Sequence, residues 1–399
     1  MTDSVDTTKT IEIYLEEYIH DQQINIEKKK LKEWKSKVRG IYNLIGKEVA
    51  TLVKDGTITF PFKNTFTSKD DILSSFEQLC KYKPNIIHSK FHVVNLELSN
   101  EDNLKFKNQH TILLRNRDDY DQFGSLIDYF QEKIRLECYR FDRISTLKYW
   151  EKKTSFVIER CLQQHNELNP KYLRETLFSL HYEVGTFRLS VGHSLINMFK
   201  GTHILDPCAG WGCRMISALS CKDVKLYCGV DPNSALFKGY KSMLNIFNRK
   251  PIRSEPMLVH MIESTFEDAV LDDICTDEDG PLIDLVITSP PYFTLETYVG
   301  GDMNKQSNIM YPDLKEWNEK FLHPMLKKAW LYLKDKGHMI IIINDSIEHK
   351  FVNTMLNYVK TFSDSDYLGC IAYAEDQSTE NVKQFSNRPQ PAWIWQKNT

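Results

Sequence analysis

The segment Ser289-Pro290-Pro291-Tyr292 combines residue types that could hold a planar amine. It follows the apolar run 282–288, and because proline has no backbone N–H, the two prolines prevent the chain from continuing as a paired central strand. The chain therefore leaves the sheet at the carboxyl end of a strand, where open α/β sheets bind ligands. A hydroxyl and a carbonyl side by side can both accept hydrogen bonds from one –NH2 group, and a tyrosine can stack on a planar ring. These residues predict a holder for the exocyclic amine of a nucleobase, and a plain loop with two prolines is the alternative.

A second segment, residues 203–212, leads from a short apolar strand into a glycine turn and then a helical pattern. Glycines at such a turn let the backbone approach a ligand closely. Gly210 and Gly212 give the spacing G-x-G, and Asp206 precedes them. The next strand ends at Asp231, where a carboxylate can accept hydrogen bonds from both hydroxyls of a ribose. The order of strands, acids and turn, followed later by the Ser-Pro-Pro-Tyr strand, predicts a nucleoside-binding sheet edge.

Residues 187–395 resemble the S-adenosylmethionine-dependent nucleic-acid methyltransferases that act on amino groups, the family that methylates cytosine N4 or adenine N6. The positions similar to the family's cofactor loop, ribose acid and catalytic motif are Asp206, Ala209, Gly210 and Gly212, then Asp231, then Ser289, Pro290, Pro291 and Tyr292. Phe187 lies in a segment, residues 186–190, that resembles the part of the family closing over the methionine end of the cofactor. Leu189 stands in that segment where a proline is more usual.

The resemblance implies S-adenosylmethionine as the cofactor and an exocyclic amine of DNA as the target, most readily cytosine N4 and then adenine N6, as in restriction–modification systems. Watson–Crick pairing occupies that amine, so the target base must be flipped out or single-stranded. An RNA base would fit the same pocket, although we expect DNA before RNA as the partner. The same motifs would also suit a protein-glutamine methyltransferase or a non-catalytic scaffold of the same fold.

Three further features each have two interpretations. Phe266 follows the third strand of this half and either frames the adenine of the cofactor or is a core aromatic. The basic run 28–39, with Trp34 inside it, either grips phosphates or is the solvated face of an amphipathic helix. Pro207-Cys208 resembles the nucleophile dipeptide of cytosine C5 methyltransferases, but its place in the glycine turn argues against a thiolate attack.

Composition limits the class of protein. The chain has 399 residues, 41% hydrophobic and 26% charged, so it is long enough for two globular domains. A net charge of −3 excludes a histone-like binder, so any nucleic acid must meet a local positive surface. The absence of an apolar targeting stretch or membrane-length run predicts an intracellular protein, cytoplasmic or nuclear, neither secreted nor membrane-bound. Nine cysteines without a C-x-x-C pair predict reduced thiols, and the histidines show no metal-ligand spacing.

The elements that must position these residues alternate in the second half of the chain. Strand patterns near 203–206, 225–230, 257–261, 282–288 and 338–343 are separated by helical patterns, which predicts an α/β fold with a mostly parallel, doubly wound sheet. The resemblance makes this a Rossmann-like class I methyltransferase fold, closed by an antiparallel hairpin of 367–374 and 392–396. We expect a disordered tail at 1–10, a mainly helical (α+β) N-terminal domain at 11–172 that recognises substrate, and the methyltransferase domain at 173–399. Apolar periodicity predicts helices over 11–54 and from about Asp121 to Leu180, the second stretch being interrupted near Asn169-Pro170. Alternating patterns at 91–98 and 111–114 suggest strands.

Overall fold

The computed structural model describes the following residues: 60–63, 68–88, 111–115, 117–141, 143–165, 170–250, 252–346, 349–375 and 390–398. The predicted tail 1–10, the helical pattern at 11–54 with its basic run, and the strand pattern at 91–98 lie outside them.

The chain divides into two compact units, and their boundary differs from the predicted one at residue 172. The helical unit contains residues 1–65 and 135–184, and the sheet unit contains residues 66–134 and 185–399. Residues 66–134 therefore group with the sheet rather than with an N-terminal domain. Contacts between residues distant in the chain explain the difference: the Phe76 ring stacks on Phe247 with centroids 4.3 Å apart. Such contacts leave no periodic signal in the sequence.

The helices agree broadly with the apolar periodicity. The longer ones are α1 (Lys69–Cys80), α2 (Arg117–Glu137), α3 (Thr146–His165), α4 (Pro170–Leu180), α5 (Leu189–Met198), α6 (Cys213–Ser220), α7 (Phe237–Phe247), α8 (His323–Tyr332) and α9 (Val352–Val359). The helical stretch predicted from Asp121 to Leu180 has one more interruption than expected, between α2 and α3. Ser145 explains where α3 begins, because its hydroxyl accepts a hydrogen bond from the Lys148 backbone N–H at 3.3 Å.

Nine strands of the sheet unit form one sheet. They are β1 (Asn85–His88), β2 (Thr111–Arg115), β3 (His203–Asp206), β4 (Leu226–Asp231), β5 (Leu258–Glu263), β6 (Ile283–Thr288), β7 (Leu333–Ile342), β8 (Ser365–Glu375) and β9 (Gln390–Lys397). Their order across the sheet is β1-β2-β8-β9-β7-β6-β3-β4-β5. The chain runs outward from β3 to β5 on one side and then from β6 onward on the other, so the strand order reverses beside β3. In such a strand order, right-handed crossovers in the two directions are expected to place helices on opposite faces of the sheet.

The pairing directions confirm the predicted fold class. Strands β7, β6, β3, β4 and β5 pair in parallel, whereas β9 is antiparallel to both β7 and β8. This is a mostly parallel, doubly wound sheet with an antiparallel closing pair, the Rossmann-like topology of class I methyltransferases. The pattern at 111–114 is also confirmed as strand β2, while β1 and its antiparallel pairing with β2 were not predicted.

Burial on both faces explains why the central strands consist of continuous apolar runs. Strand β4 is buried at every residue, and β6 at every residue except Asp284, which is half-buried. Asp284 binds the start of β3, accepting hydrogen bonds from the backbone N–H groups of Thr202 and His203 at 2.8 and 2.9 Å. These hydrogen bonds help to fix the register of β3 against β6.

The helical unit has a small core of its own around Trp150, which is 2% exposed. Its polar centre is Glu183, a buried carboxylate that pairs with the guanidinium groups of Arg135 and Arg174. A search of the described residues finds no helix with both the length and the apolar character needed to cross a membrane. All nine cysteines are described, and each is a free thiol.

Candidate functional site

The glycine turn, Asp231 and the Ser-Pro-Pro-Tyr segment lie together at the carboxyl edge of three adjacent strands. Strand β3 pairs in parallel with β4, Asp206 opposite Gly229, and with β6, Leu205 opposite Val286. The three strands therefore end at the same edge of the sheet. The glycine turn follows β3, Asp231 ends β4, and the Ser-Pro-Pro-Tyr segment follows β6.

The glycine turn depends on two left-handed residues, Gly210 with φ +56° and Gly212 with φ +84°. A side chain at Gly212 would lie 3.1 Å from Met243 Sδ and 3.2 Å from the Tyr240 ring, so glycine is required there by both backbone and space. At Gly210 an added Cβ would have no neighbour nearer than the Cys208 carbonyl at 3.9 Å. The backbone at Gly210 is therefore open to close approach by a ligand.

Asp206 is completely buried and organises the edge. Its Oδ2 accepts hydrogen bonds from Arg214 Nε and from the Tyr227 hydroxyl, both at 2.7 Å. Its Oδ1 accepts from the Thr288 hydroxyl at 2.8 Å and from the Cys208 backbone N–H at 3.3 Å. One carboxylate thus joins β3, α6, β4 and β6, and its oxygens are occupied by groups of the protein itself.

The donors around Asp206 stay protonated. Burial alone would lower the pKa of Arg214, but the neighbouring Asp206 carboxylate raises it above its ordinary value. Burial, and then the Asp206 charge, raises the pKa of Tyr227 well above its usual range. Gly229, two residues beyond Tyr227 on the same strand, leaves room for that ring, because an added Cβ would lie 2.8 Å from Tyr227 Cε1. A hydrogen-bonded buried cluster therefore holds the turn.

Asp231 is in a different environment, although it ends the neighbouring strand. Its two oxygens each accept one backbone hydrogen bond, from Gly210 at 2.8 Å and from Asn233 at 2.9 Å. Burial raises the pKa of Asp231 to about 6, and the two backbone hydrogen bonds oppose that rise. Each carboxylate oxygen keeps a further lone pair for another donor.

The Ser-Pro-Pro-Tyr segment is tied to the glycine turn by the residue before it. The Thr288 hydroxyl donates to Asp206, as described above, and accepts from the Cys208 backbone N–H at 3.1 Å. Ser289 is half-buried and Pro290 is buried. Within the described part of the chain, the Ser289 hydroxyl and the Pro290 carbonyl have no hydrogen-bond partner. Two acceptors thus lie unused beside the turn.

Aromatic packing holds the residues that follow. The ring of Tyr292 is half-buried, with its centroid 6.2 Å from that of Phe351. Phe293 has φ +51°, a strained value for a bulky residue, and is only 4% exposed. Its ring meets Trp317 at 5.9 Å and the edge of His349 at 5.0 Å. The next residue, Thr294, hydrogen-bonds through Oγ1 to Nε2 of His349 at 3.0 Å.

Phe187 and Phe266 occupy different surroundings. The half-buried Phe187 ring lies 5.3 Å from the Arg214 guanidinium carbon, so it is in contact with the Asp206 cluster. The Phe266 side chain is 3% exposed within the main core, and the Lys328 ammonium group lies 5.2 Å from its ring centroid. This environment favours the core interpretation that the sequence left open for Phe266.

Cys208 is not placed to act as a nucleophile. Burial, and then the charges of Asp206 and Asp231, raises the pKa of the Cys208 thiol well above its usual value. Its sulfur lies 3.8 Å from the Met325 sulfur. A neutral thiol in these surroundings supports the sequence argument against thiolate attack.

Sequence reasoning missed Arg214, Tyr227 and Thr288. They come from three different elements and meet only because the sheet brings those elements together. Arg214 carried a usable signal: it is a charged residue within an apolar helical pattern, and every residue of α6 is buried. Such a residue requires a buried partner, and the nearest acid in the sequence is Asp206.

No protein-family model matches this chain, and no curated protein matches its sequence. Several solved structures are similar at low levels. TrmN from Thermus thermophilus is 11% identical with a TM-score of 0.35, over 53% of this chain and 50% of TrmN, so the match spans half the length of that protein. An rRNA methylase from Streptococcus thermophilus is 12% identical with a TM-score of 0.34, over 54% of this chain and 99% of the methylase. Likenesses this distant carry no argument about activity or substrate.

Proposed function

We propose that this chain transfers a methyl group from S-adenosylmethionine to the exocyclic amine of a nucleobase in a polynucleotide. The target implied by the resemblance to amino-group methyltransferases is DNA, at cytosine N4 and next at adenine N6. An RNA base is the alternative, since the same acceptors would serve either nucleic acid. The target base is unpaired or flipped out of its stack, because pairing would occupy the amine.

One observation carries this proposal: the Thr288 hydroxyl bonds both Asp206 and the Cys208 backbone N–H. These two hydrogen bonds attach the amine-holding segment to the glycine turn. A nucleoside-binding edge and an amine holder would otherwise be two separate weak signals. Their direct connection supports a reaction in which a cofactor and an amine meet.

The residues at the turn fit the cofactor. The open space at Gly210 lets its backbone lie against a ligand. Asp231 would accept hydrogen bonds from the two ribose hydroxyls on its remaining lone pairs, and its ionised form does this best. When bound, S-adenosylmethionine would supply an activated methyl group on a sulfonium. Asp206 acts on this site through the turn, since its carboxylate is saturated by protein donors.

The chain's own part in the reaction is to orient and polarise the amine. The lone pair of an exocyclic amine is delocalised into the ring, which makes it a weak nucleophile. Hydrogen bonds from the amine to the Ser289 hydroxyl and the Pro290 carbonyl would localise the lone pair on nitrogen. Tyr292 would stack on the base and fix its plane. Once the amine nitrogen had accepted the methyl group, leaving the cofactor as a thioether, it would lose one proton to water, because Ser289 is not a base at neutral pH.

The test is methyl transfer from tritium-labelled S-adenosylmethionine to single-stranded DNA, duplex DNA and RNA, followed by nucleoside analysis. The expected product is labelled N4-methylcytosine in DNA, with N6-methyladenine as the second possibility. Label in RNA alone would move the assignment to the RNA alternative. A folded protein that binds the cofactor and labels no polynucleotide would overturn the proposal.

Two variants separate the cofactor and base contacts. Asp231→Ala removes the ribose acceptor, and a charge-assisted hydrogen bond contributes about 1.5–3 kcal/mol, so cofactor affinity in calorimetry should fall at least tenfold. Tyr292→Ala removes the stacking platform, worth about 1–3 kcal/mol, and should lower turnover while leaving cofactor affinity unchanged. Equal losses in both measurements for Tyr292→Ala would contradict the assigned roles.

A further inference from the structure

Exposed aromatic side chains concentrate in the helical unit. Five aromatic residues of the described chain are strongly exposed, and four of them lie between residues 141 and 182. Phe141, Phe178 and Tyr182 are 51%, 53% and 59% exposed. Aromatic rings of this size are usually buried, so a group of exposed rings marks an interaction surface.

Arginine residues lie over two of these rings. The Arg140 guanidinium carbon is 5.3 Å from the Phe141 ring centroid, and that of Arg143 is 5.6 Å from the Tyr182 ring centroid. The two pairs are adjacent, because the Arg143 backbone N–H donates to the Arg140 carbonyl at 3.0 Å. We call the residues Arg140, Phe141, Arg143 and Tyr182 the aromatic–arginine patch.

The backbone at Phe141 is an independent sign of function. Its φ is +53°, in the left-handed region that costs an ordinary residue stability. A buried ring could offset that cost by packing, as Phe293 does, but the Phe141 ring is half in solvent. Strain that packing does not offset is typical of residues kept for binding.

The charge of the patch suits an anion. Residues 140–143 contain two arginines and one aspartate, a local net charge of +1 in a chain of net charge −3. Glu183, which follows Tyr182, adds no free negative charge because Arg135 and Arg174 neutralise it. Burial lowers the pKa of the adjacent His181, which is therefore neutral near pH 7.

We propose that the aromatic–arginine patch binds an unpaired strand of polynucleotide, with bases stacked on Phe141 and Tyr182 and phosphates facing Arg140 and Arg143. Rings stack on any base and guanidinium groups bind any phosphate, so the patch reads single-strandedness rather than sequence or sugar. In a duplex the faces of the bases are stacked on one another, so they are not available to stack on Phe141 and Tyr182. This surface would make single-stranded polynucleotide the substrate class of the proposed methyl transfer. The binding itself does not depend on that proposed function; only its biological role does.

The test measures binding of labelled oligo(dT), oligo(U) and an oligo(dA)·oligo(dT) duplex to the full chain by fluorescence anisotropy. Thymine and uracil have no exocyclic amine, so this binding is independent of the proposed reaction. We expect both single strands to bind with similar affinity and the duplex to bind about tenfold or more weakly. The double variant Phe141→Gly with Tyr182→Ser should lose about tenfold or more in affinity for both strands.

Controls separate binding from folding. Phe141→Gly relieves the left-handed strain, so its melting temperature should equal or exceed that of the wild type while its affinity falls. Phe141→Tyr keeps the ring and should bind normally, as should Tyr129→Ser, which removes a similarly exposed ring from the sheet unit. The proposal would be overturned if the double variant kept its affinity or if Tyr129→Ser lost as much affinity as the double variant. It would also be overturned if the protein preferred the duplex or preferred one of the two single strands more than tenfold. Retained binding without methyl transfer would reject the proposed function alone.

Discussion

The two halves of the proposed site are held by different interactions; we call the half at the glycine turn the cofactor side and the half at and after residues 289–292 the base side, after their proposed roles. On the cofactor side, Asp206 receives four hydrogen bonds and the turn is made of glycines. On the base side, Phe293 is held in a left-handed conformation by contacts with the rings of Trp317 and His349. Both sides thus contain residues with left-handed backbone. Hydrogen bonds to a buried carboxylate stabilise the cofactor side, and aromatic packing stabilises the base side.

The comparison predicts different responses to mutation. Buried polar clusters are cooperative, because removing one member leaves its partners unsatisfied in a low dielectric. Aromatic packing loses contact area in proportion to what is removed, without leaving an unpaired charge. A single substitution on the cofactor side should therefore cause a large loss of stability. Substitutions on the base side should cause losses that grow with the size of the group removed.

The largest effect is expected from Asp206→Ala. It leaves the buried Arg214 guanidinium without its carboxylate, and breaking such a pair costs about 3–5 kcal/mol of unfolding free energy. Chemical denaturation measures the loss. The double variant Asp206→Ala with Arg214→Met removes the unpaired charge and should recover a substantial part of it. A loss for Asp206→Ala similar to that of an ordinary surface substitution would show that the cluster does not hold the turn.

The second-largest effect is expected at Phe293, where we expect the glycine variant to be more stable than the alanine variant. Phe293→Ala should lose about 3 kcal/mol of unfolding free energy through lost packing. Phe293→Gly should lose about 1 kcal/mol less, since glycine adopts φ +51° without strain. At most positions the glycine variant is the less stable one. If glycine is less stable than alanine here too, the backbone at Phe293 is not strained.

These cases also show what sequence could and could not predict. The places of Ser289, Asp231 and the two glycines at strand ends could be predicted because their signals are local: a strand, its end, and the residue type there. The cluster around Asp206 was not, since it depends on strand order and on side chains brought from distant elements. The same reason explains why the grouping of residues 66–134 with the sheet unit has no signal in the sequence. The left-handed Phe293 has no sequence signal, because phenylalanine does not favour that conformation.

A third prediction uses the contrast between the two acids. Because burial raises the pKa of Asp231 to about 6, its ionised fraction falls as the pH drops. Cofactor affinity in calorimetry should fall roughly fourfold between pH 7.5 and 5.5, if only the carboxylate binds the ribose. The folded-state pKa lies above the ordinary 3.8, so the stability contributed by this group to the free protein is present at low pH and lost as the pH rises through 6.

As the pH rises through 6, the titration of Asp231 should therefore raise the affinity for the cofactor and lower the stability of the free protein. Asp231→Asn is the matched control, and its weaker cofactor binding should not vary over the same pH range. The same pH dependence in wild type and Asp231→Asn would assign the titration to another group.

The smallest effect on stability is expected from Thr294→Val. It removes the hydrogen bond to His349, which is exposed, so unfolding free energy should change by about 0.5 kcal/mol or less. If this bond positions the segment after Tyr292, turnover should fall several-fold with cofactor affinity unchanged. Thr294→Ser keeps the hydroxyl and should restore turnover, and equal rates for valine and serine variants would rule out a positioning role.

Gly229 has a consequence for how this sequence can evolve. An added Cβ there would collide with Tyr227 and with Met261, whose sulfur would lie 2.9 Å away. A descendant that gains a side chain at 229 must therefore move or replace Tyr227, and with it a donor to Asp206. Positions 206, 227 and 229 are therefore coupled through packing and a hydrogen bond. In related sequences we expect glycine at 229 wherever tyrosine stands at 227 and aspartate at 206, and joint replacement where the set has changed.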